Sequence, residues 1–264
     1  MTEFEGTRFV VTGAASGIGA ATAAQLRAAG AYVAGLDRSA PVEGLVDEFH
    51  AVDLSDPAAI DTVVAGLDGV WNGLLNIAGV SGEAPAELVM KVNFLGLRHL
   101  TEALWPKLAK GGSVTNVASA AGVMWRSRQE FVQQLVDTPD FAAGLDWFHA
   151  NPPEGKVYNF SKEAVILWSM WRALPAFRDG IRVNAVAPSL TKTPLFADFE
   201  KSIGAERIKG MEESLGRFAE PSDVARALLF LASPATEYVA GQILGVDGGT
   251  TAAMVSGVIP LPGY

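Results

Sequence analysis

The sequence predicts an α/β fold: one doubly wound, mainly parallel sheet of about seven strands with helices on both faces. Three observations predict it. The chain begins with a strand, a glycine-rich turn, a helix, a second strand and an acid, in that order. Short β-like runs then alternate with helical stretches to the end of the chain. Residues able to hold or transform a ligand fall just after strands, at the sheet edge where open parallel folds gather ligands.

Arg8–Thr12 is a β-like run, followed by Gly13-Ala14-Ala15-Ser16-Gly17-Ile18-Gly19. A helix rich in Ala and Leu runs through Ala29 and is closed by Gly30, and Tyr32–Leu36 is the next strand, ending at Asp37. This is a βαβ dinucleotide fingerprint and makes the fold Rossmann-type. Glycines permit the tight turn and close backbone approach, and the helix N-terminus offers N–H groups to a pyrophosphate. Gly13, Ser16, Gly17, Ile18 and Gly19 are the turn's candidate cofactor-binding residues, and Asp37 can accept both ribose hydroxyl protons. That carboxylate repels a 2′-phosphate, and Ala14 and Ala15 leave the turn without a basic residue, so the expected cofactor is NAD. Arg38 argues for NADP, because an Arg after this strand can grip a 2′-phosphate.

The connection Ser39–Asp47 is too short for a full crossover helix before a third strand at about Glu48–Val52, which ends at Asp53-Leu54. Pro57–Leu67 reads as a helix and Gly73–Asn76 as a buried strand running into Asn76-Ile77-Ala78-Gly79. Glu87–Leu108 is a long helix with Val89, Val92, Gly96, Leu100 and Leu104 inward, stopped by Gly111-Gly112. Asn93 sits on that inward stripe, where its amide needs hydrogen-bond partners. Ser113–Val117 is a strand with Ser119 at its C-terminal end, and Ile181–Ala187 is another, followed by Pro188-Ser189. Glu220-Pro221-Ser222-Asp223 opens a helix with Pro in its first turn. Gly241–Gly249 supplies the last strand.

Tyr158 and Lys162 stand four residues apart in a segment that reads helical through Leu174, which puts both side chains on one face. Bringing a phenol from a pKa of about 10 to 7 takes about 4 kcal/mol. A cation about 4 Å away at an effective dielectric of 20 supplies roughly that. The pair is therefore a candidate proton-transfer centre, although the same spacing also arises by chance on many helices.

The chain's T-G-x-x-x-G-x-G turn, Asp37, the Asn76–Gly79 element, Ser119, Tyr158-x-x-x-Lys162 and Asp247-Gly248-Gly249 resemble the short-chain dehydrogenase/reductase family, in the family's order and over almost the whole chain. The resemblance implies hydride transfer between an alcohol carbon and a nicotinamide, with Asn93, Ser119, Tyr158 and Lys162 catalytic. It implies that Asp53 meets the adenine amino group beside Leu54, and that Asn76 and the backbone through Ala78 and Gly79 organise the central sheet beside the adenine ribose. Lys162 and Tyr158 would meet the nicotinamide ribose, Asn93 would hold a water on the proton path, and Pro188, Leu190 and Thr193 would meet the carboxamide end. Thr191 is a competing hydroxyl, and Ser189 replaces the family's usual Gly.

The chain departs from the family's usual pattern between Ser119 and Tyr158, which are 39 positions apart. The extra segment, about 124–156, carries Trp125, Phe131, Phe141, Trp147 and Phe148 and reads as two short amphipathic helices. It covers the active-site mouth, packs at a subunit interface, or does both. Such an insertion resembles the bacterial subgroup of 3-alpha-hydroxysteroid dehydrogenase/carbonyl reductase and coniferyl-alcohol dehydrogenase. Residues 194–217 mix Phe196, Phe199, Ile203 and Ile208 with charges, which suits a helical substrate lid. This apolar lining favours an apolar or aromatic alcohol or ketone, with hydroxysteroids and aryl alcohols both open. An NADP-dependent carbonyl reductase and a non-catalytic dinucleotide-binding regulator are the alternatives.

The chain has 264 residues, 49% hydrophobic and 19% charged, enough for one large domain spanning 1–264. It lacks cysteine, and His50, His99 and His149 lie far apart, so no metal site is expected. A net charge of −9 disfavours nucleic acid and anionic membrane as partners. No signal peptide or membrane span is visible, so a cytoplasmic location is expected. A homodimer is expected, with a tetramer second. Trp168 and Trp171 suit either an interface or the core, and the apolar tail Met254–Tyr264 is expected to dock on a neighbouring subunit or near the pocket.

Overall fold

The computed structural model describes residues 3–258. Seven strands form one sheet: β1 (Arg8–Thr12), β2 (Tyr32–Asp37), β3 (Glu48–Ala51), β4 (Trp71–Asn76), β5 (Leu108–Val117), β6 (Arg182–Pro188) and β7 (Ile243–Val246). Their spatial order is β3-β2-β1-β4-β5-β6-β7, and every pairing is parallel. The order reverses between β1 and β4, which opens a crevice at the strands' C-terminal ends.

Strand periodicity sorts the core into two layers. Val10, Ala34 and Leu74 face one side, with Ile60 and Val64 of α2 (Pro57–Gly66) and Leu100 and Leu104 of α4 (Leu97–Leu104). Their neighbours Val11, Val33 and Leu75 face the other side. There they meet Leu26 of α1 (Gly17–Ala28) and Val224 and Leu228 of α10 (Pro221–Ala232). α10 opens with Pro221 in its first turn, as expected, and Glu220 forms a reciprocal capping box with Asp223.

The long middle helix differs from expectation in two respects. It begins with α3 (Ala86–Met90), continues through a π-helical stretch (Lys91–Gly96) into α4, and ends in a 3₁₀ turn (Trp105–Lys107). Gly111 and Gly112 do not stop it; they lie inside β5, beside a register shift where Trp71 pairs Leu108 and Gly73 pairs Ser113. A side chain at Gly112 would stand 2.7 Å from the Ala109 carbonyl oxygen and 2.9 Å from that of Asn72. The glycines therefore serve a crowded bulge, a role that a Gly-Gly pair does not distinguish from helix termination.

The 124–156 segment forms a 3₁₀ stretch (Ala120–Arg128), α5 (Gln129–Val136) and α6 (Phe141–Ala150), the last capped by Asp140 on the Ala143 N–H. Its apolar side packs on α7 (Val157–Arg178) and on the π-helical stretch. Val132, Leu135, Phe141 and Phe148 are buried with Phe94, Leu95, Ala164 and Trp168. Phe131, Trp147 and Phe160 form an aromatic cluster with ring centroids 5.1 to 6.2 Å apart. Trp168 is thus a core residue, whereas Trp171 is half exposed. α7 continues beyond Leu174 to Arg178 with Pro175 in its last turns.

Residues 194–217 contain α8 (Phe196–Ile203) and α9 (Ala205–Leu215). α11 (Thr250–Val255) follows β7, capped by the Asp247 carboxylate on the Gly249 and Thr251 N–H groups. The tail beyond Val258, expected to dock, lies outside the described residues. Among the described residues no helix is long and apolar enough to cross a membrane.

Candidate active site

The glycine turn lies at the crevice between β1 and β4. Thr12 ends β1, and its hydroxyl accepts the N–H groups of Ile77 (2.8 Å) and Ala78 (3.0 Å), locking the two strand ends together. Gly13 (φ 70°) and Gly17 (φ 53°) hold left-handed conformations that the turn requires. Gly19 is needed for space, since a Cβ there would lie 1.9 Å from the Gly13 carbonyl oxygen. Ser16 is the N-cap of α1 and makes no capping bond with its side chain; Ile18 packs into the core below the turn.

Asp37 closes the far end of the turn. Its carboxylate accepts the Ala15 N–H at 3.0 Å and the Ser39 N–H at 3.1 Å, which orients it beside the turn. Asp53 accepts the Ser55 N–H at 2.8 Å. Burial pushes its carboxyl up, but the bonds from Ser55 and the charges of Arg38 and Lys91 outweigh that and hold it below its usual value. Leu54 is buried, with its carbonyl pressed on Gly96 of the π-helical stretch. Free N–H groups at a 12-residue helix and a carboxylate placed for a diol fit a dinucleotide.

Asn76 is buried and turned into the protein. Its Nδ2 donates to Thr101 Oγ1 and to Asn116 Oδ1, each at 2.9 Å, tying β4 to α4 and β5. Only the backbone that follows, at Ala78 and Gly79, edges the crevice. A Cβ on Gly79 would stand 3.1 Å from Asn93 Oδ1 and 3.7 Å from Lys162 Nζ, so these two side chains converge there.

Asn93 is fully buried in the π-helical stretch, a feature frequent at functional sites. Its Oδ1 accepts the Val80 N–H (2.8 Å), and its Nδ2 donates to the Val80 carbonyl (3.1 Å) and to Ser161 Oγ (3.3 Å). Ser161 lies between Tyr158 and Lys162, and its hydroxyl donates to the Tyr158 carbonyl at 2.7 Å. The Asn93 amide is thereby joined to the first turn of α7.

Ser119 ends the link from β5 and is the N-cap of the 3₁₀ stretch, where its hydroxyl accepts the Ala121 N–H at 3.2 Å. Its hydroxyl also lies close enough to the Tyr158 phenol to influence it. Lys162 also bonds outside its own helix. Its Nζ donates to the Val117 carbonyl at 2.9 Å and stands 5.9 Å from the Tyr158 ring centroid. Burial governs both groups: it raises the Tyr158 phenol, which the Ser119 hydroxyl partly offsets, and lowers Lys162 to about 8. The Lys162 ammonium serves the end of β5, and burial disfavours the charged form of the phenol.

The loop after β6 lies over the glycine turn. A Cβ on Gly17 would stand 3.1 Å from Thr193 Cγ2, which places Thr193 at the turn. The competing Thr191 is buried, and its hydroxyl is committed to the Ser189 carbonyl at 3.0 Å. Pro188 ends β6, and the Leu190 carbonyl accepts the Ala219 N–H at 3.3 Å. Ser189 adopts no left-handed conformation, so it replaces a glycine without backbone strain.

Sequence reasoning did not assign roles to Phe199, which borders Tyr158, or to Ser81, which holds the neighbouring Asp198. The Phe199 ring packs edge-on against the Tyr158 ring at 5.5 Å. Ser81, 3% exposed, donates to Asp198 Oδ2 at 2.7 Å, fixing α8 to the loop after β4. Phe199 was legible only as part of an apolar stretch. The Ser81–Asp198 bond spans 117 positions and leaves no local pattern.

The short chain dehydrogenase family profile matches residues 7–130, and that described as enoyl-(acyl carrier protein) reductase matches 148–251. Coniferyl-alcohol dehydrogenase of Pseudomonas sp. (strain HR199 / DSM 7063) is 38% identical, covering 94% of this chain and 98% of that protein. The chain belongs to the short-chain dehydrogenase/reductase family. The 3-alpha-hydroxysteroid dehydrogenase/carbonyl reductase of Comamonas testosteroni is 33% identical over 93% of this chain and 96% of its own length. The crystal structure of the 3-alpha-hydroxysteroid dehydrogenase from Pseudomonas sp. B-0831, complexed with NADH, superposes with a TM-score of 0.79 at 30% identity. It covers 95% of this chain and 99% of that one. This short-chain dehydrogenase/reductase is thus an oxidoreductase of alcohol or carbonyl substrates, in a family that uses NAD(P). The two matched stretches leave 131–147 between them, inside the 124–156 segment.

Proposed function

We propose that the protein interconverts an apolar or aromatic alcohol and its carbonyl compound with NAD. The observation that carries this reading is the meeting of Ser119 and Tyr158 under the Phe199 ring, with Lys162 and Asn93 behind them. A bound nicotinamide would supply or accept the hydride. The glycine turn and the N-terminus of α1 would hold its pyrophosphate, and Asp37 the adenosine ribose diol. Lys162 would turn from the Val117 carbonyl toward the second ribose, and Thr193 would lie at the carboxamide.

The chain's own residues manage the substrate oxygen. Ser119 holds it by hydrogen bond. Tyr158 removes the hydroxyl proton in oxidation and returns one to the carbonyl oxygen in reduction. Lys162, once drawn toward the phenol, favours the phenolate, and Asn93 orders the proton path beside Gly79. α8 and α9 act as the lid, excluding water while Phe199 offers an aromatic wall.

NAD is favoured over NADP because Asp37 stands ready at the ribose edge, and the solved 3-alpha-hydroxysteroid dehydrogenase of similar fold carries NADH. Relatives named for coniferyl alcohol and for 3-alpha-hydroxysteroids support an aryl or alicyclic alcohol. The test is cofactor reduction with aryl-alcohol, steroid and alicyclic-alcohol panels, using NAD and NADP in parallel. Turnover with NAD and at least one apolar panel is expected. Binding of NAD without turnover on any panel would indicate a regulator, and preference for NADP a carbonyl reductase.

A homodimer is also proposed. The 124–156 segment occupies much of the outer face of α7, but Trp171 and Leu174 remain 50% and 61% exposed toward its end. Phe177 beside them carries the exposed Tyr238 ring at 5.6 Å. Light scattering of the full chain measures this directly, and a monomer at assay concentration would refute it.

A further inference from the structure

Ser119 and Tyr158 belong to different elements, and the 124–156 segment between them gives their spacing freedom. The structure removes that freedom at one place on α7. A Cβ on Gly122 would stand 2.8 Å from the Lys162 carbonyl carbon, 2.9 Å from its oxygen and 3.0 Å from the Glu163 nitrogen. The backbone leaving Ser119 thus lies directly on the backbone of Lys162 and Glu163.

Six positions later, Arg128 grips the next side chain of that helix. Its Nε donates to Glu163 Oε2 at 2.6 Å and its Nη2 to Glu163 Oε1 at 3.1 Å. The Glu163 side chain has no exposure, and that of Arg128 is 20% exposed. The remaining Nη1 donates to the Glu154 carbonyl at 2.8 Å, and the guanidinium lies over the Phe160 ring at 5.2 Å. One planar cation thereby joins the beginning of the segment, its end and α7, on a side of the helix turned away from Tyr158 and Lys162. A two-bond fork fixes orientation as well as distance. A lysine offers a point charge and lacks that geometry.

We propose that Arg128 is a positioning residue: through Glu163 it sets the register between Ser119 and the Tyr158–Lys162 pair, so that one substrate oxygen meets both hydroxyls. The role rests on the reading of Ser119 and Tyr158 given above. Arg128 touches neither substrate nor cofactor; it acts through α7 and the 3₁₀ stretch.

The test uses the full chain with Arg128→Met, Arg128→Lys and the double variant Arg128→Met/Glu163→Leu, which leaves no buried charge stranded. Loss of register of even about 1 Å costs on the order of a hundredfold, so Arg128→Met should lower kcat by about tenfold to a hundredfold. KM for NAD should stay within about twofold, because the glycine turn and Asp37 are untouched. Arg128→Lys should recover part of kcat, and the folded double variant should remain slow. Hydrogen exchange of the same proteins should be faster over 120–128 and 154–160 in Arg128→Met and unchanged in β1 and β2. A double variant with wild-type kcat, or unchanged exchange over those two stretches, overturns the positioning role. If the wild-type protein turns over no alcohol, the functional reading fails separately, and exchange alone decides whether Arg128 holds the two elements in register.

Discussion

The ring of Phe199 meets the ring of Tyr158 edge-on, with centroids 5.5 Å apart and planes at 68°. A group on the proposed lid therefore touches the proposed acid–base residue directly. Such aromatic contacts contribute about 0.5–1.5 kcal/mol beyond area burial. An aromatic substrate seated at Tyr158 would gain a comparable contact from Phe199. Replacing Phe199 with Ala should raise KM for an aryl alcohol by up to about tenfold while changing that of a small aliphatic alcohol little. Equal effects on both would remove Phe199 from the specificity argument.

Asp198, beside Phe199, is held by the buried Ser81 hydroxyl at 2.7 Å. Ser81→Ala leaves that carboxylate without its donor and frees α8 from the loop after β4. A hydrogen bond to a charged group contributes about 1.5–3 kcal/mol, so substrate KM should rise by about tenfold or more. Limited proteolysis should cut faster within 196–215, with the sheet still resistant. Unchanged cleavage would mean that α8 is anchored elsewhere.

Lys162 gives the protein a defined alkaline signature. Burial lowers its pKa from 10.5 to about 8, so the folded protein releases this proton before the unfolded chain does. Between pH 8 and 10.5 the unfolded state binds more of it, and stability from this group rises with pH. Below about pH 8 the charge is buried at a cost, and that cost is relieved as pH increases through the window. The stability difference between wild type and Lys162→Met, without cofactor, should therefore grow in favour of wild type by about 3 kcal/mol across it. Denaturant unfolding at several pH values measures this. A pH-independent difference would show that Lys162 titrates normally.

Much of this site was legible because its chemistry is local in sequence. Gly13, Gly17 and Gly19 sit in one turn, Asp37 ends the next strand, and Tyr158 and Lys162 share one helix face. What escaped is set by packing between distant segments. Ser81 with Asp198 and Arg128 with Glu163 pair across 117 and 35 positions, so neither pair forms a motif. Asn76 ties the sheet through Thr101 and Asn116, partners 25 and 40 positions away that its own motif does not name. Gly111 and Gly112 suggested a helix stop because a bulge needs the same residue for a different reason. Helix spacing puts Tyr158 and Lys162 on one face but does not reveal the Val117 carbonyl that accepts from Nζ.

The Asp37 carboxylate is oriented by the Ala15 N–H and should set cofactor choice. Asp37→Ser removes the ribose acceptor and the charge that repels a 2′-phosphate, leaving Arg38 nearby. The ratio of kcat/KM for NAD to that for NADP should fall by at least about tenfold, the equivalent of one lost charge-assisted hydrogen bond. An unmoved ratio would place cofactor selection outside this carboxylate.

The central claim is that Tyr158 transfers the proton in alcohol oxidation. Its most direct test is turnover of Tyr158→Phe with the best alcohol found, alongside NAD binding by calorimetry. The phenol's loss should lower kcat by at least about a hundredfold, the scale of general acid–base catalysis, with Kd for NAD within a few-fold of wild type. Near-wild-type turnover by Tyr158→Phe, with NAD bound normally, would contradict the account.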